Sequence, residues 1–195
     1  MVKITAPAII HTERLDLKLL TEDMARDMND AITSSLKEFE PWFDWVHPKG
    51  PSLKDTEDFT KKNIEGQSKG EEFHYAVYLK GTNTLVARVS LDKNRPEVPS
   101  FNIGYWVHSH YTGKGYTTEA TLAMVDATWN MLPIKKLEIY HDEENVASAV
   151  IVEKLVAKFG FEKLGLVKNA LRRHSDNTLR HHVYYALTRD DEVLS

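Results

Sequence analysis

The stretch from Phe101 to Met131 constrains the chain more than any other. A run with strand character (FNIGYWV, 101–107) leads into a turn with two glycines (HYTGKG, 110–115), and the turn leads into a helical pattern. Tyr116, Ala120, Ala123, Met124, Ala127 and Met131 recur at helical spacing, and Pro133 stops them after roughly four turns. Gly113 and Gly115 let the backbone take positive φ angles and approach a ligand with no Cβ in the way. The helix they introduce presents unpaired N–H groups and the positive end of its dipole. Such a site suits a phosphate, and Lys114 with the hydroxyls of Thr112, Thr117 and Thr118 adds charge and hydrogen bonds around it. A Rossmann fingerprint would need a third glycine where Thr118 stands. A Walker A loop would need lysine and a hydroxyl residue where Tyr116 and Thr117 stand. An ordinary strand-to-helix bend carries the same glycines, so the turn alone leaves both readings open.

The flanking chain reads as one mixed α/β (α+β) domain over residues 1–195. Leu15, Leu17 and Leu19 alternate with Asp16 and Lys18 as a half-buried strand, and Thr21–Asp23 offers cap chemistry for a helix from about Met24. A second, aromatic helical stretch covers Ser34–Trp45, and two prolines and a glycine turn the chain within Val46–Ser52. Ser52 and Asp55 have capping-box spacing and Gly66 offers a stop, which gives a helix over Leu53–Glu65 with Phe59 and Ile64 on its apolar side. Phe73–Leu79 and Thr84–Leu91 read as strands around a Gly81–Asn83 turn. Asn94–Ser100 is a loop, and Phe101–Val107 completes the meander. Leu137 and Ile139 mark a further strand. Asn145 caps a helix with Ala149, Val152, Val156 and Phe159 on one face, and Phe161–Val167 and Val183–Leu187 are the last strands.

At 195 residues, 42% apolar and 28% charged, the composition is that of an ordinary globular protein. No apolar run approaches the ~20 residues that cross a bilayer. The opening MVKITAPAIIHTERL lacks the layout of a signal peptide, so a cytoplasmic protein without membrane attachment is expected. The absence of cysteine removes disulfides, thiolate metal sites and a cysteine nucleophile. A net charge of −4 supplies no overall field for nucleic acid, and no nucleic-acid partner is expected.

With these elements in place, Ile103–Ala120 (IGYWVHSHYTGKGYTTEA) resembles the central motif of the GNAT acetyltransferases, in which a [Q/R]-x-x-G-x-[G/A] turn binds the pyrophosphate of acetyl-CoA. GYW before the turn and TEA after it are similar to the ribosomal-protein N-acetyltransferase (RimJ/RimL-like) branch. Thr12–Leu17 (TERLDL), Pro41–Val46 (PWFDWV) and Asn145–Lys154 (NVASAVIVEK) follow that branch in order. The resemblance implies a GNAT fold: a central, mixed, mostly antiparallel sheet splayed between its fourth and fifth strands and flanked by helices. It implies acetyl transfer from acetyl-CoA to a primary amine, with no metal. The pantetheine arm would lie in the splay against the backbone of Trp106, Val107 and His108, the pyrophosphate on Thr112, Gly113, Lys114, Gly115, Tyr116 and Thr117, and Asn145 and Ser148 on the far side. Ser148 is the expected proton donor to the leaving thiolate. Trp42 and Trp45 read either as core or as a wall of the acceptor site. A homodimer is compatible with the family.

The chain also departs from the pattern. His110 stands where the motif has Gln or Arg, which retunes a grip made mainly by backbone N–H groups. The interval from Lys154 to Gly160 is about four residues long, one helical turn, beyond the usual E-K-L-G-F spacing. Asn102 stands where relatives carry a glutamate base, and the alternative position of that glutamate, after the second helix, falls near Leu171. An α-amine has a pKa of ~7.8 and a lysine ~10.4, so at neutral pH roughly one-seventh of the first is already nucleophilic, against well under a thousandth of the second. A site lacking a strong base therefore favours a protein or peptide N-terminus. A polyamine, aminoglycoside or amino acid remains an alternative acceptor, and so does a role as a non-catalytic acyl-CoA sensor. Of nine histidines, His108 lies near the expected thioester. His174, His181 and His182 have no zinc spacing. Arg172, Arg173 and Arg180 read with His174 as a basic surface patch, and Glu119 as a partner of the helix dipole.

Overall fold

In the computed structural model, which describes residues 4–47, 49–95, 98–173 and 176–189, the alternation at Leu15–Leu19 forms a strand with Leu15 and Leu17 fully buried. It is the second strand, β2. Ile9–His11 precedes it as β1, paired antiparallel with Ile10 opposite Leu17. Three residues carry too little periodicity to announce a strand. The sheet continues with β3 (Phe73–Leu79), β4 (Leu85–Arg95), β5 (Ser100–Val107), β6 (Lys136–Asp142), β7 (Glu162–Arg172) and β8 (Leu179–Thr188), in the order β1-β2-β3-β4-β5-β6-β8-β7. All neighbours are antiparallel except β5 and β6, the pair joined through a helix, as a parallel connection requires.

That pair is where the sheet opens. Ser100, Phe101 and Asn102 match Lys136, Leu137 and Glu138, and the pairing stops there, leaving Ile103–Val107 attached on the β4 side only. The splay expected between the fourth and fifth strands thus falls between the fifth and sixth, because β1 adds one at the start.

Helices cover both faces, which explains why β3 is buried along nearly its whole length. On one face, α4 (Tyr116–Met131) and α5 (Val146–Phe159) close a core with Tyr75, Val89, Phe101, Ile103, Leu137 and Ile139. On the other, α1 (Ala25–Thr33), α2 (Leu36–Phe39) and α3 (Leu53–Lys69) flank the sheet. Met28, Ile32 and Phe39 from this layer meet Ala76, Tyr78 and Trp106.

Three expectations need correction. The helix over Ser34–Trp45 is only the single turn α2; Pro41 has no N–H to continue the ladder, and Trp42 and Phe43 close the turn on the Phe39 carbonyl. Trp42 and Trp45 therefore do not share a helix face. In α3 the Ser52–Asp55 capping box forms as expected, but the helix runs through Gly66 to Gly70, whose φ of 73° is the true stop. Gly66 serves packing: a Cβ there would lie 2.3 Å from a Glu72 carboxylate oxygen. The buried side of α3 is Thr56, Thr60, Asn63 and Gly66, while Phe59 is 47% exposed. Small polar residues win because they reach hydrogen bonds at close approach, as Thr56 does with Asn29. In α5 the buried stripe is Ile151, Val152 and Leu155, with Val156 exposed; the helix is apolar nearly all round, so periodicity could not select its face. The interval after Lys154 is helical to Phe159, as the extra turn implied.

Candidate active site

Between β5 and α4 the backbone does what the two glycines allow. Gly113 and Gly115 both have φ of 77°, and Gly115 is the N-cap of α4 with no side-chain cap, so the first N–H groups of the helix point outward. A Cβ at Gly113 would meet nothing within 4 Å, so the demand for glycine there is conformational. Thr112 and Lys114 are exposed, Tyr116 is half-buried and Thr117 buried. Lys114 Nζ lies 5.3 Å from the centre of the Tyr111 ring.

The turn is braced by the N-terminal motif TERLDL. Glu119 accepts hydrogen bonds from Thr12 Oγ1 (2.6 Å), the Arg14 backbone (3.1 Å) and Arg14 Nε (2.7 Å), and Arg14 Nη1 donates to the Lys114 carbonyl. Burial works against the Glu119 charge, but these donors outweigh it and hold the carboxyl below its usual range. The dipole alone is therefore too small an account of Glu119.

Along the gap, Trp106 is buried against Phe39, with ring centres 5.5 Å apart, and Val107 is half-buried. His108 uses both backbone groups within the protein, its N–H on Val86 and its carbonyl on Tyr111, and its half-buried imidazole packs between His110 and Tyr111, Nδ1 accepting from the His110 N–H. Burial and the neighbouring His110 push that imidazole's pKa down. From the opposite side, Asn145 caps α5 by accepting from Ser148 N (3.0 Å). Ser148 Oγ lies 2.8 Å from Tyr105 Oη on β5, and either hydroxyl can donate. Burial pushes the Tyr105 phenol up to about 12, partly offset by Ser148, so it keeps its proton at neutral pH. Tyr105 went unsingled in the sequence.

On the other face of β5 lies a charged cluster that sequence reasoning also missed. His74 Nε2 lies 2.9 Å from Glu72 and 3.4 Å from Asp92, and Arg88 bonds its Nδ1. Ligand atoms of Glu72, His74 and Asp92 lie within 4.8 Å of one another. Arg88 already brings the compensating positive charge to this cluster, so the group reads as an internal ion network.

A wall follows on β6 and β8, where Tyr140 stacks on His182 (4.8 Å) and Tyr184 (5.0 Å). Asp44 of the PWFDWV loop acts electrostatically on both Tyr140 and His182. Trp45 is 42% exposed and packs on Phe43 at 5.2 Å, and Trp42 is half-buried. Arg180 is no surface cation: it is buried, bonded through Nε and Nη2 to Asp142 and through Nη1 to Glu144. Arg172 and Arg173 bond Asn177 and Asp176, and His174 lies outside the described residues.

Residues 14–161 match the acetyltransferase (GNAT) domain family. The chain belongs to the GNAT acetyltransferases. A 129-residue stretch, 66% of this acetyltransferase, is 29% identical to the "Probable N-acetyltransferase YjcK" of Bacillus subtilis (strain 168), spanning 68% of that protein. Among solved structures, RimL, a ribosomal L7/L12 alpha-N-protein acetyltransferase in complex with coenzyme A, is similar with a TM-score of 0.83 at 19% identity, covering 93% of this chain and 98% of that one. A ribosomal-protein-S5-alanine acetyltransferase from Vibrio fischeri superposes with a TM-score of 0.82 at 18% identity over 95% and 98% of the two chains. Family and fold make this protein an acetyl-CoA-dependent N-acetyltransferase.

Proposed function

We propose that this acetyltransferase modifies the α-amine of a protein or peptide N-terminus, with a ribosomal protein as the leading class of acceptor. The observation that carries the reading is Asn102, a neutral side chain at the last paired position before β5 and β6 part. Without a glutamate there, an amine of pKa ~7.8 is a far easier nucleophile than a lysine of ~10.4. The similar folds that act on ribosomal proteins L7/L12 and S5 support it further.

The pyrophosphate of acetyl-CoA is assigned to Thr112–Thr117 at the start of α4, and the pantetheine arm to the free edge of β5 at Trp106 and Val107, as an added strand. Asn145 holds Ser148, and Ser148 with Tyr105 is the proton donor to sulfur. The amine nitrogen bonds to the thioester carbonyl carbon and sheds its proton to water, the carbon–sulfur bond breaks, and the hydroxyl pair relays a proton from water to the thiolate, whose pKa of about 8.5 makes the help modest. Trp42 and Trp45 line the acceptor side.

Thiol release from acetyl-CoA tests this on peptides with free N-termini, lysine peptides with blocked N-termini, polyamines, aminoglycosides and amino acids. Turnover of the free N-termini at least tenfold faster than the rest is expected. Turnover confined to lysines or small amines overturns the acceptor, and thermal stabilisation by acetyl-CoA without turnover of any amine would make the protein a sensor.

A further inference from the structure

We propose that Asp92 is the general base of this acetyltransferase, taking the proton of the acceptor amine on the face of β5 opposite the Tyr105–Ser148 pair. The inference rests on the reading of the protein as an amine acetyltransferase: Asp92 takes the proton that an already neutral amine sheds as it attacks, so an acceptor of low pKa is still favoured.

Three features place Asp92 at the reaction. It is the direct cross-strand partner of Asn102, so the charge absent at position 102 reappears on the adjacent strand. A glutamate at 102 would set two carboxylates side by side; asparagine avoids that repulsion. Second, the Asp92 carboxylate lies over Gly104, the second residue past the end of β5–β6 pairing. A Cβ at Gly104 would lie 3.0 Å from Asp92 Oδ2 and 2.8 Å from Ser90 Oγ, so glycine is what brings the carboxylate to the mouth of the gap. Third, successive residues of a strand point to opposite faces. Asp92 sits on the Gly104 side and the Tyr105 hydroxyl on the α5 side. A thioester lying along this edge would meet an acid on one face and a base on the other, as transfer from sulfur to nitrogen requires.

The surroundings suit a base. Ser90 Oγ donates to Asp92 Oδ2 (3.0 Å), and His74 Nε2 lies 3.4 Å from Oδ1, which fixes the carboxylate. The side chain is 42% exposed although packed among strands, so an amine can reach it. Burial raises its pKa, Arg88 and Ser90 oppose the rise, and Glu72 adds to it; the net direction is upward, toward that of an amine. The other groups facing this spot are His74 on β3, neutral Asn102 on β5, and Tyr140 on β6, which feels the Asp92 charge. In the step, the amine nitrogen bonds to the carbonyl carbon, its proton passes to Asp92, the carbon–sulfur bond breaks and the thiolate is protonated through Tyr105 and Ser148, which recover a proton from water as Asp92 releases one to it.

The test compares wild type with Asp92→Asn and Asp92→Glu, using whichever acceptor wild type turns over, so that a wrong acceptor above leaves the comparison intact. Asp92→Asn is expected to lower kcat about 100-fold with acetyl-CoA affinity near wild type, and to lower the melting temperature because the buried Arg88 loses a charge partner, with partial rescue of kcat by Asp92→Glu. On the acid side, log kcat/KM should fall with slope two in wild type, for base and amine together, and slope one in Asp92→Asn. An Asp92→Asn enzyme that binds acetyl-CoA and keeps either wild-type kcat or the slope of two overturns the proposal. If that variant fails to fold, the slope in Asp92→Glu decides: a limb unmoved along the pH axis overturns it equally.

Discussion

Tyr105 and Ser148 share one hydrogen bond across the gap, so neither side chain has an independent role to lose. Tyr105→Phe and Ser148→Ala should each lower kcat about tenfold to a hundredfold, with acetyl-CoA affinity kept. The double variant should be little worse than either single one, and a double-mutant cycle on kcat reads the coupling directly. Fully additive losses would mean that the two hydroxyls act separately. Ser148 could be singled out in the sequence because it sits beside a helix cap, and the cap on its N–H is what the structure shows. Tyr105 could not be, since its partner lies 43 positions away and only the fold brings them together. The Glu72–His74–Arg88–Asp92 cluster was hidden for the same reason, being assembled across antiparallel strands whose register no single segment encodes.

Among the elements, those announced by local chemistry appeared where the sequence put them. Phe73–Leu79 alternates into a strand, and Ser52 and Asn145 cap their helices. These two caps allow a contrast. Ser52→Ala and Asn145→Ala should each cost about 1 kcal/mol in denaturant unfolding, but only Asn145→Ala should also lower kcat, because its carbonyl oxygen anchors the turn that carries Ser148. Equal activity in both variants would return Asn145 to a purely structural role. Where burial, not capping or periodicity, set an element, the sequence misled: Gly66 looked like a stop and is a packing site, and α5 is too apolar to show which side faces inward.

For the whole molecule, the decisive feature is that a sheet of eight strands is joined at its middle over three residue pairs, Ser100–Asn102 with Lys136–Glu138. The family motif made a splay there legible; the extent of the pairing belongs to register and could only be seen in the structure. Acetyl-CoA at a hundred times its Kd should stabilise the fold by ~2.7 kcal/mol, a rise of roughly 5–10 °C in melting temperature for a chain of this size. Stabilisation below a degree at saturation would argue that the donor does not act as a strand. The same seam should govern amide hydrogen exchange. Backbone amides of Ile103–Val107 directed at the gap lack a neighbouring strand and should exchange early, then become protected once the donor binds. The centre of the sheet, ordinarily the slowest part of such a protein to exchange, would then be the part whose protection reports how much acetyl-CoA surrounds it.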